Sequence, residues 1–295
     1  MDRKSFIKSI ALLPLAASFM NLRELSKLSD ELPKTAKMPV LFVGHGSPMN
    51  AIESNEFSLQ WQKLAKEIPQ PVAVLCISAH WLTRGTFITA MDKPETIHDF
   101  GGFPKELFDV QYPAPGNPQL AKDTQTLVKS TAVGLDHEWG LDHGTWSIVK
   151  QMYPEANIPV LQLSIDYYKN PQFHYDLAKE LAALREKGVL IIGSGNMVHN
   201  LGMVDFKRLN EPQGFGFDWA LELNEIFKNN ISQRSHAALI NYQNLSKAAT
   251  LAIPTPDHYY PLLYTLGLQD EKETTSFFND KAVGGSLTMT SVKIG

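Results

Sequence analysis

Nine histidines and one cysteine occur in 295 residues, and four of the histidines stand where a fold could gather them. His45 ends the stretch Leu41-Phe42-Val43-Gly44-His45-Gly46-Ser47-Pro48, and His80 ends Leu75-Cys76-Ile77-Ser78-Ala79-His80-Trp81. His199 follows Leu190-Ile191-Ile192-Gly193-Ser194-Gly195-Asn196-Met197-Val198, and His258 lies in Ile253-Pro254-Thr255-Pro256-Asp257-His258-Tyr259-Tyr260. The first two sit just beyond apolar runs that read as strands, the third leaves a strand through glycines, and prolines set the fourth at the start of a helix. Open α/β sheets hold their ligands at such carboxyl ends of strands. Imidazole suits zinc, iron, copper and nickel, and three imidazoles on rigid strand ends leave positions open for water, oxygen or substrate. Any one of these residues is as well explained by a bond to a backbone carbonyl in a core. Their joint placement favours a metal site, without choosing the metal.

Composition removes several alternatives. One cysteine allows neither an intramolecular disulfide nor a cysteine-rich metal cluster, and Cys76, mid-strand among apolar residues, reads as inert core. With 27 basic against 31 acidic residues there is no basic excess to hold nucleic acid, and no apolar run has the roughly 18–20 residues of a membrane span. His137-Glu138-Trp139-Gly140-Leu141 lacks the second histidine of a zinc-protease helix, and Gly193-Ser194-Gly195 lacks the third glycine of a dinucleotide fingerprint because position 198 is Val. Neither Ser47 nor Ser194 stands in a Gly-x-Ser-x-Gly elbow.

The elements that must position the histidines alternate along the chain. Strands are expected at 39–44, 72–78, 86–91, 159–165, 189–193 and 286–293, and helices at 57–67, 118–130, 144–152, 172–187, 217–229 and 236–247, which makes an α/β domain. Pro171 and Gly188 bracket one helix as start and stop. Between Lys93 and Asn117 lies a long stretch rich in Gly, Pro and aromatics, and long ordered loops are often functional. Residues 1–37 read as an address with a linker: Arg3, Lys4 and Lys8 come before the apolar run Ile10 to Met20, with small residues at Ala16-Ala17-Ser18. Lys4 stands in place of the second arginine of a twin-arginine signal, so the expectation is periplasmic export of a folded protein, the alternative being a cytoplasmic protein with an amphipathic N-terminal helix. The catalytic domain is then 38–295.

With these residues in view, the chain resembles the LigB-type class III extradiol ring-cleavage dioxygenases, and within them the 4,5-DOPA extradiol dioxygenase branch. The resemblance runs from about Pro39 to Ile294 and rests on seven ordered motifs. These are Gly44-His45-Gly46-Ser47-Pro48; Ser78-Ala79-His80-Trp81; Asp99-Phe100-Gly101-Gly102-Phe103-Pro104; Tyr112-Pro113-Ala114-Pro115-Gly116; Asp142-His143-Gly144; Gly193-Ser194-Gly195-Asn196 with His199-Asn200; and Pro256-Asp257-His258-Tyr259.

The resemblance implies a single-domain α/β/α sandwich around a mixed β-sheet, and one ion, Fe(II) or Zn(II), at His45, His80 and His258. In the broader family the third ligand is a carboxylate; here His258 stands at that position, and a three-histidine site could hold zinc as well as iron. His199 matches the acid–base histidine and is also a candidate fourth ligand. His143 would hydrogen-bond an oxygen of the substrate or of O2. Trp81, Phe100, Phe103 and Tyr259 are candidates to wall a pocket for a small aromatic diol, with Asp257 and Asn196 orienting ligands from behind or merely capping helices. His98 stands beside the loop motif and could reach substrate; His137, His174 and His236 receive no role, the last two being expected on solvated helix faces. The competing readings are a zinc-dependent hydrolase and a non-catalytic metal-binding protein on the same fold.

Overall fold

A computed structural model describes residues 37–295, so the signal-like segment lies outside the described residues. The strands are β1 (Val40–Gly44), β2 (Ala73–Thr83), β3 (Thr86–Thr89), β4 (Val133–Asp136), β5 (Val160–Asp166), β6 (Val189–Gly195), β7 (Thr275–Phe278), β8 (Ala282–Val283), β9 (Leu287–Thr288) and β10 (Ser291–Ile294). Eight of them form one mixed sheet in the order β4-β3-β5-β2-β6-β1-β10-β7, while β8 and β9 pair separately. The centre is parallel, β5 with β2, β2 with β6 and β6 with β1, and its outer joins β3–β5, β1–β10 and β10–β7 are antiparallel.

Every residue of β1, β5 and β6 is buried, as parallel strands covered on both faces require. Because successive side chains on a strand point to opposite faces, one core takes Val40, Phe42, Leu75, Ile77 and Ile191, and a second takes Leu41, Val43, Val74, Cys76, Leu190 and Ile192. The helix Tyr260–Gly267 belongs to the first core, and the helices Glu56–Glu67 and His143–Met152 to the second. Helices thus lie on both faces of a mixed sheet, the expected α/β/α arrangement. Among the described residues, no helix is long and apolar enough to cross a membrane.

Several boundaries differ from expectation, each for a local reason. β2 runs on to Thr83, so His80 lies inside the strand rather than beyond it; the register with β5 shifts between Ile77 and Leu82. The expected strand 286–293 is interrupted at Met289 and Thr290, where the Ser291 hydroxyl bonds the Met289 carbonyl and accepts from the Gly44 amide. The expected helix 236–247 ends at Ile240, and Asn241 turns its side chain back to the Ala237 carbonyl. The expected helix 172–187 forms as two segments, Pro171–Glu180 and Ala182–Glu186.

Candidate metal centre

His45 leaves β1 at its carboxyl end and is 2 % exposed. Its Nδ1 stands 2.9 Å from the Ser194 hydroxyl, which donates its own proton to the Gly144 carbonyl at 2.6 Å. A hydroxyl has one proton to give. Ser194 therefore receives the Nδ1–H of His45, and the Nε2 of His45 carries a lone pair.

His80 turns its Nδ1 to Asp99 at 3.3 Å, and His258 turns its Nδ1 to the carboxylate of Asp257. Asp257 takes the hydrogen bond of the His258 ring and Asp99 faces the Nδ1 side of His80, so a neutral ring at either place presents Nε2 as a lone pair. The Nε2 atoms of His45 and His80 stand 3.1 Å apart. Two lone pairs that close have no proton between them to share, and a cation is the partner that satisfies both.

The spacing of the rings agrees. An ion about 2.1 Å from each nitrogen, with ligand angles near 100–110°, puts ligating nitrogens about 3.2–3.4 Å apart and ring centres about 5.0–5.3 Å apart. The ring centres lie at 5.0 Å for His45–His80, 5.2 Å for His45–His258 and 5.1 Å for His80–His258. The donor set fits a metal ion.

Electrostatics keeps His45 and His80 neutral. Burial, then the neighbouring imidazoles, pushes His45 well below the ordinary histidine range, and burial does the same to His80 against the opposing charge of Asp99. Burial also acts to raise Asp257, but its hydrogen bond to His258 brings the carboxyl below its ordinary value. Neutral imidazoles backed by ionised carboxylates are the form in which histidine binds a metal.

The remaining side chains fall into two groups. His143 opens the helix His143–Met152, and its ring lies 3.9 Å from that of His80 and 5.5 Å from that of His45. Ring nitrogens of His45, His80 and His143 lie within 4.8 Å of one another, as do the ligand atoms of His199, Asp257 and His258. The helix start is held by Asp142, which caps Thr145, receives the Ser78 hydroxyl at 2.7 Å and bonds Gln162 at 2.6 Å. A β-carbon on Gly144 would stand 2.5 Å from Ser78 Oγ and 2.9 Å from His80 Cδ2, so only glycine lets the helix approach the ligand strand.

His199 lies flat on His258, ring centres 3.5 Å apart and planes within 5°. Parallel stacked rings direct their in-plane lone pairs alongside each other rather than to one point. Burial, chiefly, lowers His199 to about 3, so it is neutral. Asn196 ties the glycine exit to its neighbours, its amide donating to the Thr288 carbonyl and its oxygen accepting from the Gly46 amide.

Phe100 meets His143 edge-on at 5.5 Å and Phe103 at the same distance, and both phenylalanines are only partly buried, so they keep surface for a ligand. Trp81 and Tyr259 do not. Trp81 is 3 % exposed and stacks on Trp139. Tyr259 is fully buried against Phe227 and Tyr242 and donates its hydroxyl to the Leu239 carbonyl at 2.8 Å. It is a core residue because it stands at the start of a helix that packs on the sheet.

His98 is spent on the Val110 carbonyl, and His137 is exposed. His236, expected to be solvated, is partly buried between the Tyr175 hydroxyl and Gln269. His174, also expected to be solvated, is fully buried, with Nδ1 3.1 Å from the Tyr264 hydroxyl. Asp99, to which the residue pattern alone assigned no role, touches two of the site's imidazoles. Its one sequence signal was its place in the motif Asp99–Pro104.

Comparison with known proteins agrees with this geometry. Residues 36–289 match the model of the LigB family, the catalytic LigB subunit of aromatic ring-opening dioxygenase. The chain is 45% identical over 272 residues to a 4,5-DOPA dioxygenase extradiol of Escherichia coli, covering 91% of this chain and 98% of that protein. It is 35% identical over 259 residues to the 4,5-DOPA dioxygenase extradiol of Beta vulgaris, covering 85% and 94%. A crystal structure of an uncharacterized Escherichia coli K12 protein superposes with a TM-score of 0.76 at 42% identity, over 88% of this chain and all of that one. The chain belongs to the LigB family of aromatic ring-opening dioxygenases.

Proposed function

We propose that the protein opens a catechol-type ring of the DOPA class beside its diol, taking up one O2 per ring and retaining both oxygen atoms in a muconic semialdehyde. The observation that carries the reading is the convergence of three lone-pair nitrogens, on His45, His80 and His258, beside two further imidazoles in a member of this family. Fe(II) or Zn(II) held there would supply a positive centre that gathers diol and O2 and makes the phenol more acidic.

The protein's own groups divide the remaining work. His199, neutral and stacked on His258, accepts a proton from the diol and returns it after ring opening. Its flat stacking favours this role over that of a fourth ligand. His143 accepts a hydrogen bond from a hydroxyl of the diol. Phe100 and Phe103 give the aromatic ring an apolar wall. Three neutral imidazoles suit Zn(II) as well as Fe(II), so metal identity is part of the test. Export to the periplasm by residues 1–37 completes the proposal, and fractionation of cells expressing the full chain reads it directly.

The experiment is anaerobic loading with Fe(II) or Zn(II), followed by DOPA and air. The expected result is stoichiometric O2 uptake with a yellow product. Tight zinc binding with no O2 uptake under either metal sinks the dioxygenase reading in favour of a hydrolase or binding protein.

A further inference from the structure

We propose that Asp99 is a positioning residue that fixes two imidazoles at once, the ligand His80 and the substrate-facing His143, in the one tautomer that turns both Nε2 lone pairs inward. The roles of the two histidines rest on the ring-opening reading above; the geometry of Asp99 does not.

Oδ1 of Asp99 accepts the backbone N–H of His143 at 2.9 Å. Oδ2 stands 3.0 Å from Nδ1 of His143 and 3.3 Å from Nδ1 of His80. Three N–H groups therefore face one carboxylate. One oxygen cannot lie in the plane of both rings; the contact to His143 is the shorter of the two, and Nδ1 of His143 has no other acceptor. An ionised carboxylate is acceptor-only on both oxygens and is the one side chain of this size that can meet all three donors. Asparagine cannot: if its oxygen takes the backbone amide, its NH2 faces two ring N–H groups, and if it is flipped, its NH2 faces the backbone N–H.

The backbone that carries Asp99 is held on its N-terminal side. The Ile97 amide donates to the Leu141 carbonyl at 2.8 Å, and Trp146 Nε1 donates to the Ile97 carbonyl at 2.8 Å. Both partners lie at or inside the start of the helix that presents His143. On the other side, Phe100 packs edge-on against His143 and within 6.2 Å of Trp146. The carboxylate is thus placed by the same helix whose first residue it orients. Asp257 is the natural comparison, because its carboxylate pairs with a single imidazole, His258.

The test uses the full-length protein with 15N-labelled histidine, loaded with Zn(II), and reads the imidazole tautomers by NMR. In the wild type, His80 and His143 both carry the proton on Nδ1. Asp99→Asn alters the signatures of both rings, lowers Zn(II) affinity by about 10–100-fold in competition with a chromophoric chelator, and keeps kcat for DOPA depressed at saturating Fe(II). Asp257→Asn alters the signature of His258 alone. His143 protonated on Nε2 in the wild type overturns the proposal, as does an Asp99→Asn protein with one ring or neither changed. The wild-type measurement decides even if Asp99→Asn does not fold. Absence of O2 uptake by the wild type would defeat the ring-opening reading and leave the tautomer and affinity results standing.

Discussion

His45 and His174 are both fully enclosed, 2 % and 0 % exposed, and burial pushes both below the ordinary histidine range. They differ in what surrounds them. His174 has a partner for Nδ1 in the Tyr264 hydroxyl and lies over Tyr260 with ring centres 4.3 Å apart, and its second nitrogen meets no hydrogen-bond partner but no other imidazole nitrogen either. His45 is likewise partnered on one side, by Ser194, but its Nε2 faces the Nε2 of a second imidazole 3.1 Å away. Burial and a shifted pKa therefore do not mark the functional histidine. Convergence of unprotonated nitrogens does, and such a cluster is a local cost that the rest of the fold carries.

The largest effect that could break this comparison is on metal binding. Changing His45→Ala removes one of three converging donors, and the loss of metal affinity and turnover should exceed the roughly 10–100-fold that a partner behind a ligand supplies. In the metal-free protein the same change relieves two opposed lone pairs, so the melting temperature should stay level or rise. His174→Ala should do the reverse, opening a cavity in the first core and lowering the melting temperature while leaving the metal affinity intact. Chelator competition and calorimetry on both variants check this. A His45→Ala protein that melts as early as His174→Ala would erase the distinction.

Acid separates the two regions by a smaller amount. His174 is lowered to about 4, with burial the chief cause and the charge of Asp166 opposing it. Its folded pKa lies below the roughly 6.5 of an unfolded histidine, so the unfolded chain takes up the proton first. The stability it contributes is whole above about pH 6.5 and is lost as pH falls toward 4, amounting to about 2 kcal/mol between pH 7.5 and 5. His174→Gln keeps a hydrogen-bonding group for Tyr264 but does not titrate. Its urea midpoint should fall less than that of the wild type over this interval. An unchanged pH dependence would mean that His174 is not the buried neutral group described.

How much of this was readable in the residues depends on which interactions are local. The apolar stretches at 39–44, 159–165 and 189–193, the second interrupted by Gln162 and Ser164, point to buried strands with no knowledge of their neighbours, and all three form. Val133–Asp136 and Thr275–Phe278 were missed because they are short and their side chains stay largely half-exposed, so neither carries a strong apolar pattern. They become strands only because β3 and β10 offer them unpaired edges.

The site divides in the same way. His45, His80, His199 and His258 are legible because each follows or ends a segment whose own pattern declares it. Asp99 is not, since its meaning comes from His80 and His143, 19 and 44 residues away in the chain. His174 was legible but misread: His174, Leu177, Ala178 and Leu181 are all buried and recur at the spacing of one helix face. A histidine in an apolar stripe belongs to the core that the stripe covers.

The smallest expected effect concerns Tyr259, next in the chain to His258 yet turned into the first core. A pocket wall would touch substrate, and removing its hydroxyl would change KM. A core residue would change only stability. Tyr259→Phe keeps the ring against Phe227 and Tyr242 and deletes the bond to the Leu239 carbonyl. That carbonyl is left with one acceptor site fewer satisfied, at a cost of about 1 kcal/mol. The urea midpoint should fall by the corresponding amount, with KM and kcat for the diol unchanged. Phe100→Ala supplies the contrast on the other side of the site, because Phe100 meets His143 edge-on and keeps exposed surface; there KM should rise. A Tyr259→Phe protein with raised KM and an unmoved midpoint would return Tyr259 to the pocket and show that the helix it begins shifts when the site is filled.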